Sequence, residues 1–233
     1  MQLRLETRPI GEVAVVQCLG RLIGGNEVFT LHSQVQDAIE KYGEVVLQLE
    51  KVEFVDSNGL GAIMRLVQAA RAKGGDLKLC GLTPKIRKVL ELTHLISQFE
   101  TYDCMEEAIT AAYLGSRYSR GKSGDARPRV VCAYASLDVC AFLKEILCGA
   151  GFNALTTTAV DDAPILLKAT KAKLAVVSSR MQIVRGRPIR QAFQEIVPDV
   201  QILTLDDHFA TDDPGEAAEK LLKDVNSMLA TAN

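Results

Sequence analysis

No stretch of the 233 residues approaches the roughly 20 consecutive apolar residues that a membrane-spanning helix needs. The opening segment, MQLRLETRPIGEV, lacks the apolar core of a signal peptide. The expectation is a cytoplasmic protein without a membrane partner. Charge is nearly balanced, with 27 basic and 29 acidic residues and a net −2, so nothing pulls the chain toward nucleic acid or acidic lipid. Six cysteines (Cys18, Cys80, Cys104, Cys132, Cys140, Cys148) are scattered, with no CxxC pair. They read as small hydrophobes, not as metal ligands or disulfide partners. Tryptophan is absent, and histidine occurs three times, at His32, His94 and His208. What remains is a globular composition, 48% apolar and 24% charged.

Two stretches of regular pattern flank an irregular one. Residues 115–128, GSRYSRGKSGDARP, are rich in Gly, Ser and Arg and read as a linker between domains at 1–114 and 129–233. In the first part, GEVAVVQCLGRL is an extended apolar run, GGN a turn, and Val28, Leu31, Val35 and Ile39 mark a helix. EVVLQLEKVEFV reads as a strand buried on both faces. A helix from Leu60 carries Ile63, Met64, Val67 and Ala70 on one stripe, with glycine at its end. LKLCGL is a strand, TPKIRKVLELTHL a helix with proline inside its start, SQFETYD extended and CMEEAITAAYL a helix. The second part repeats the alternation: RVVCAYA, FNALTTT, KLAVVSS and VQILTLD as strands, each followed by a helix. The fold class is therefore α/β, a mixed sheet with helices followed by a doubly wound parallel sheet.

The junction Asp56-Ser57-Asn58-Gly59-Leu60-Gly61, between a strand and a helix, carries the chemistry. A nucleophile elbow requires glycine two residues before the serine, where Val55 stands. No histidine has an evident acid partner, so no catalytic residue is assigned. A dinucleotide fingerprint fails because Met64 occupies the third glycine position. Arg120-Gly121-Lys122-Ser123 resembles the end of a Walker loop, but Ser116 sits at its first glycine and no strand precedes it. No cofactor and no metal is expected. Helix capping by Asp56, Ser57 or Asn58 accounts for one residue of the string. It leaves the glycines unexplained, since they weaken a helix unless something approaches the backbone. A phosphate on Ser57 would meet the positive end of the helix and add about −1.5 to −2 charges. Ser57 thus reads as a switch inside a docking surface.

Residues 52–95 resemble the STAS domain of the anti-sigma-factor antagonists, through Asp56-Ser57-Asn58-Gly59-Leu60-Gly61, then GGDLKLCGL and KVLELTHL. The resemblance extends over about residues 8–113. It implies that Ser57 is the phosphoacceptor of an anti-sigma factor that is also a serine protein kinase, and that a serine phosphatase reverses the modification. It implies that Asp56 positions the serine, and that Asn58, Gly59, Leu60 and Gly61, with Gly24, Gly25 and Asn26, form the docking edge. Asn58 replaces the Ser or Thr frequent in that family, and GRLIGGN lacks the family's acid, which puts partner choice in question. The alternative is a scaffold or a sensor of nucleotide or lipid.

The second part resembles a response-regulator receiver, with departures. Its first strand ends in Ala133-Tyr134-Ala135 and its third in Ser178-Ser179, where a receiver carries acids, and Asp138 falls too late. The final helix follows LTLDDHFATDD so closely that one strand-helix unit is missing. Without carboxylates there is no Mg²⁺ site, and the expected role is contact with a further signalling protein. Arg180, Arg185, Arg187 and Arg190 form a basic loop that could meet a phosphate or an acidic partner. Asp206, Asp207, Asp212 and Asp213 around His208 read as an acidic turn before a helix, not as a metal site.

Overall fold

The computed structural model describes residues 2–119 and 127–230. The chain separates into two compact units, residues 1–123 and 124–233. The Walker-like string Arg120–Ser123 and half of the expected linker, residues 120–126, lie outside the described residues.

The first unit is built on a five-stranded sheet in the order β1-β2-β3-β4-β5. The strands are β1 (Arg4–Ile10), β2 (Val13–Leu22), β3 (Glu44–Val55), β4 (Asp76–Cys80) and β5 (Thr101–Tyr102). Only β1 and β2 run antiparallel, through a tight turn at Gly11 (φ 64°). The strand at Arg4–Ile10 was not legible in the sequence, because its faces are mostly exposed and half-exposed and its residues mostly polar. The parallel pair β2–β3 carries two register shifts, around Cys18 and at Gly20/Arg21, each of which places one extra residue on β3. The expectation that β3 is buried on both faces holds only for its first half; its pairing with β4 ends at Gln48, and beyond it Glu50, Lys51, Glu53 and Phe54 are exposed while Val52 and Val55 stay in the core beside β2.

Helices α1 (Asn26–Tyr42), α2 (Ser57–Ala72) and α3 (Pro84–Leu92) follow β2, β3 and β4. Their apolar stripes, Leu31, Val35 and Ile39 from α1, Ile63, Leu66 and Val67 from α2, and Ile86 and Leu90 from α3, close one core with the sheet. At about 25 cal/mol per Å² of apolar surface, this burial is the main stabilising contribution to the unit. The Thr83 hydroxyl caps α3 by accepting from the Ile86 N–H, and Pro84 occupies the first helical position as expected. α4 (Met105–Ser119) packs on β3 and β4 through buried Ala108, Ile109 and Ala112. It corrects the start of the expected linker: 115–119 continue the helix, because an isolated Gly115 weakens a helix without ending it. Beneath α4, the ammonium of buried Lys78 pairs with Asp76 at 3.2 Å and Glu100 at 2.6 Å. These partners hold its pKa above the ordinary lysine value even though burial opposes the charge.

The second unit contains a parallel four-stranded sheet in the order β11-β8-β6-β7. Its strands are β6 (Arg129–Ala133), β7 (Asn153–Thr157), β8 (Leu174–Ser178) and β11 (Gln201–Leu205). α5 (Leu137–Gly149) and α8 (Pro214–Ala230) cover one face through Leu143, Leu147, Leu221 and Val225. The intervening positions Val131, Ala133, Ala175 and Val177 are buried too. α6 (Ala163–Thr170) packs on β6 with its own buried row, Ile165, Leu166 and Leu167, and α7 (Ile189–Gln194) precedes β11. A small hairpin, β9 (Ile183–Val184) with β10 (Arg187–Pro188), turns at Arg185-Gly186, both with positive φ; this hairpin was unforeseen. Two-residue strands are too short to show alternation. Among the described residues, no helix is long and apolar enough to cross a membrane.

Candidate functional site

The β3–α2 junction is decided by one carboxylate. Asp56, in extended conformation, is the N-cap of α2; its Oδ1 accepts from the Gly59 N–H at 2.7 Å. Its Oδ2 accepts from the Gly24 N–H at 2.9 Å, in the loop between β2 and α1, and the Asn58 side-chain amide approaches the same oxygen at 3.4 Å. The Asp56 N–H donates to the Leu22 carbonyl at 3.1 Å. The N–H groups of Gly59 and Gly24 hold the Asp56 carboxyl below the usual carboxylate range. Asp56 therefore ties two loops together and starts the helix three residues earlier than expected, at Ser57 instead of Leu60.

Ser57 is then the first residue of α2 and is exposed. Its hydroxyl makes no hydrogen bond to any described residue, histidines included. Asn58 and Asn26 are exposed as well, as is Gly25, whose φ of 101° suits glycine. Gly24 is half-buried under Asn58: a Cβ there would meet the Asn58 Nδ2 at 2.8 Å.

Two residues of the expected docking edge are turned inward. Gly59 is buried, and a Cβ on it would stand 2.5 Å from the Leu22 carbonyl oxygen and 2.8 Å from the Leu22 Cγ. Its missing side chain permits the close approach of α2 to β2. Leu60 is 5% exposed and belongs to the core. Gly61 is different: it is half-buried and has only the Arg65 guanidinium near its Cβ position, at 3.6 Å.

Two aromatics that the sequence reading passed over border the same loops. Phe29, in the first turn of α1, is 75% exposed, and its N–H donates to the Gly25 carbonyl. Phe54 is 48% exposed beneath the Arg21 guanidinium, 5.3 Å from its ring centre. Phe29 falls off the Val28-Leu31-Val35-Ile39 stripe, which was the available signal that it faces outward.

The basic loop of the second unit does not converge on a single site. Arg180 pairs with Asp207 at 3.2 Å and Arg187 with Glu195 at 3.0 Å, while the Arg185 N–H donates to Asp161 and Arg190 is exposed. The acidic turn is likewise engaged. Asp206 pairs with Lys220 at 3.2 Å, Asp207 also accepts from the Ser179 hydroxyl, and Asp213 caps α8 by accepting from the Gly215 and Glu216 N–H groups. No cluster of three potential metal ligands occurs among the described residues. Burial pushes the Cys18 and Cys80 thiols up to about 12, the state of packed hydrophobes; Cys104 is exposed.

With this geometry in hand, comparison with known proteins is specific for the first unit. The family model described as STAS domain matches residues 4–108. An anti-sigma F factor antagonist of Paenibacillus polymyxa is 28% identical over 112 residues, 47% of this chain and 95% of that protein. Among solved structures, an anti-sigma factor antagonist from Mycobacterium paratuberculosis aligns at 22% identity and a TM-score of 0.40, over 48% of this chain and 94% of its own. The Bacillus cell fate determinant SpoIIAA in its phosphorylated form aligns at 24% identity and a TM-score of 0.38, over 47% and 97%.

Proposed function

Residues 4–108 are a STAS domain, and from that premise we propose that the chain is an anti-sigma-factor antagonist switched by phosphorylation of Ser57, a binding protein and not an enzyme. Unmodified, it binds an anti-sigma factor that is also a serine kinase. That kinase moves the γ-phosphoryl group of ATP onto the Ser57 oxygen, the hydroxyl proton passes to a base of the kinase, and ADP leaves. The added charge expels the partner, and a serine phosphatase restores the alcohol. The second unit supplies a contact to a further signalling protein.

One observation carries this reading: an exposed serine hydroxyl with no internal bond stands beside an aspartate whose two oxygens are both engaged by backbone N–H groups. Asp56 builds the platform and leaves Ser57 free for a visitor. Exposed Gly25 and the exposed Asn26, Phe29 and Asn58 in the first turns of α1 and α2 border the junction that Asp56 ties together, and they supply contacts for the partner. Aromatic side chains, phenylalanine among them, are enriched at the cores of protein interfaces.

The test uses the full chain as bait. Ser57→Ala should retain a kinase-type partner from lysate and Ser57→Asp should not, while mass mapping after incubation with the captured kinase should place the phosphate on Ser57. Equal capture by both variants, or a phosphate on another residue, rejects the reading. A second reading, a small-ligand sensor, draws on a groove of about 660 Å³ lined by Leu19, Gly20, Val52, Thr83, Pro84 and Lys85. A thermal shift with GTP or anionic lipid that Ser57→Ala leaves unchanged favours it.

A further inference from the structure

Ser57, Gly61 and Arg65 stand at steps of four along α2 and so share one face of the helix. Arg65 is exposed, and no carboxylate among the described residues bonds its guanidinium. Long helical side chains lean toward the N-terminus over the preceding turn. Arg65 does so here, with its NH1 3.6 Å from where a Gly61 Cβ would stand. A guanidinium over Gly61 has only about 6 Å of helix axis left to the level of Ser57, four residues at 1.5 Å each. A phosphate on Ser57 reaches outward by several ångströms and presents three acceptor oxygens. Gly61, with no side chain, leaves the path between them open.

We propose that Arg65 is the intramolecular receptor for the Ser57 phosphate. It would donate charge-assisted hydrogen bonds to the phosphate across bare Gly61 and hold the phosphate against α2. The other charges at this end of the unit do not substitute for it. Asp56 repels the phosphate and already accepts from Gly59 and Gly24, while Arg21 is occupied over the Phe54 ring. Arg65 is thus a positioning residue for the modified state and is idle in the unmodified one. A planar fork suits the phosphate better than an ammonium does. This inference rests on phosphorylation of Ser57, and its test separates the two.

Phosphoserine is installed at position 57 of the full chain during translation, so no kinase is needed. The phosphorus NMR titration of that chain is compared with the same chain carrying Arg65→Gln, Arg65→Lys or Gly61→Leu. Asp56, Glu27, Glu53 and Arg21 are common to all four chains and cancel in the comparison. The second phosphate pKa should be lower with Arg65 than with Gln by about half a unit, the scale of one exposed ion pair. Lysine should restore part of the difference. Leucine at 61, which blocks the path while Arg65 is retained, should remove it. The Arg65 Nε–H resonance should also move on phosphorylation in the parent chain alone. Identical titrations for Arg65 and Gln, or an unmoved Arg65 resonance, overturn the proposal whether or not cells modify Ser57. Absence of natural phosphate on Ser57, by mass mapping, overturns the switch and leaves this chemistry standing.

Discussion

Each unit places a serine just beyond the end of a strand, with an aspartate in reach, and uses the pair in opposite ways. At the end of β3, Asp56 spends both oxygens on the N–H groups of Gly59 and Gly24, and the Ser57 hydroxyl is left exposed and unbonded. At the end of β8, Asp207 accepts from the Ser179 hydroxyl and pairs with Arg180. The same two side chains give an available alcohol in one unit and a consumed one in the other. The difference lies in what the carboxylate is asked to satisfy. A helix N-terminus with unpaired N–H groups attracts it in the first case. In the second it meets a hydroxyl and a guanidinium.

The comparison breaks most severely at Gly59. Gly59→Ala forces a methyl group to 2.5 Å from the Leu22 carbonyl oxygen, and the strand end must move. Overpacking of this kind costs about 1–3 kcal/mol, read as a fall in midpoint on denaturant unfolding. Gly61→Ala, where the nearest atom is 3.6 Å away, should be neutral or slightly stabilising. If both alanines cost the same, the burial argument for Gly59 fails.

Next comes the cap. Asp56→Ala removes two backbone bonds and should destabilise the first unit by about 1–2 kcal/mol. The pH dependence has a definite sign. Because the folded pKa of Asp56 is depressed, the unfolded chain binds more protons, and the contribution is present above the unfolded carboxylate pKa of about 3.9. It is lost as pH falls through the lower folded value. Asp56→Asn should flatten that acid limb while Asp207→Asn leaves the first unit's limb intact.

The smallest effects sharpen the contrast between the two serines. Ser179→Ala loses a charge-assisted hydrogen bond and should lower the unfolding midpoint of the second unit slightly. Ser57→Ala should lie within about 0.5 kcal/mol of the parent, because its hydroxyl supports nothing in the fold. A large loss of stability in Ser57→Ala would show that the alcohol is structural.

Much of the fold was legible because it rests on local periodicity. The stripes of α1 and α2, the proline at the start of α3 and the β/α alternation of the second unit all follow from residue spacing alone. Where the pattern was weak the reading failed, as at β1, whose residues are polar, and at the hairpin β9–β10. The four arginines of that region looked like one basic loop; Asp207 and Glu195 divide two of them, and the first of these partners is too far along the chain from Arg180 for a local pattern to suggest it.

For this protein, the order of residues by itself settled that a strand ends at Val55, that a helix follows, and that one hydroxyl stands at the joint, since each depends on neighbours a few positions away. Only the tertiary structure decided which members of Asp56-Ser57-Asn58-Gly59-Leu60-Gly61 face inward. Gly59 is silenced by a carbonyl on β2, and Asp56 is turned toward Gly24, 32 residues earlier in the chain. Contacts between residues so far apart arise when the sheet closes, and no local pattern encodes them.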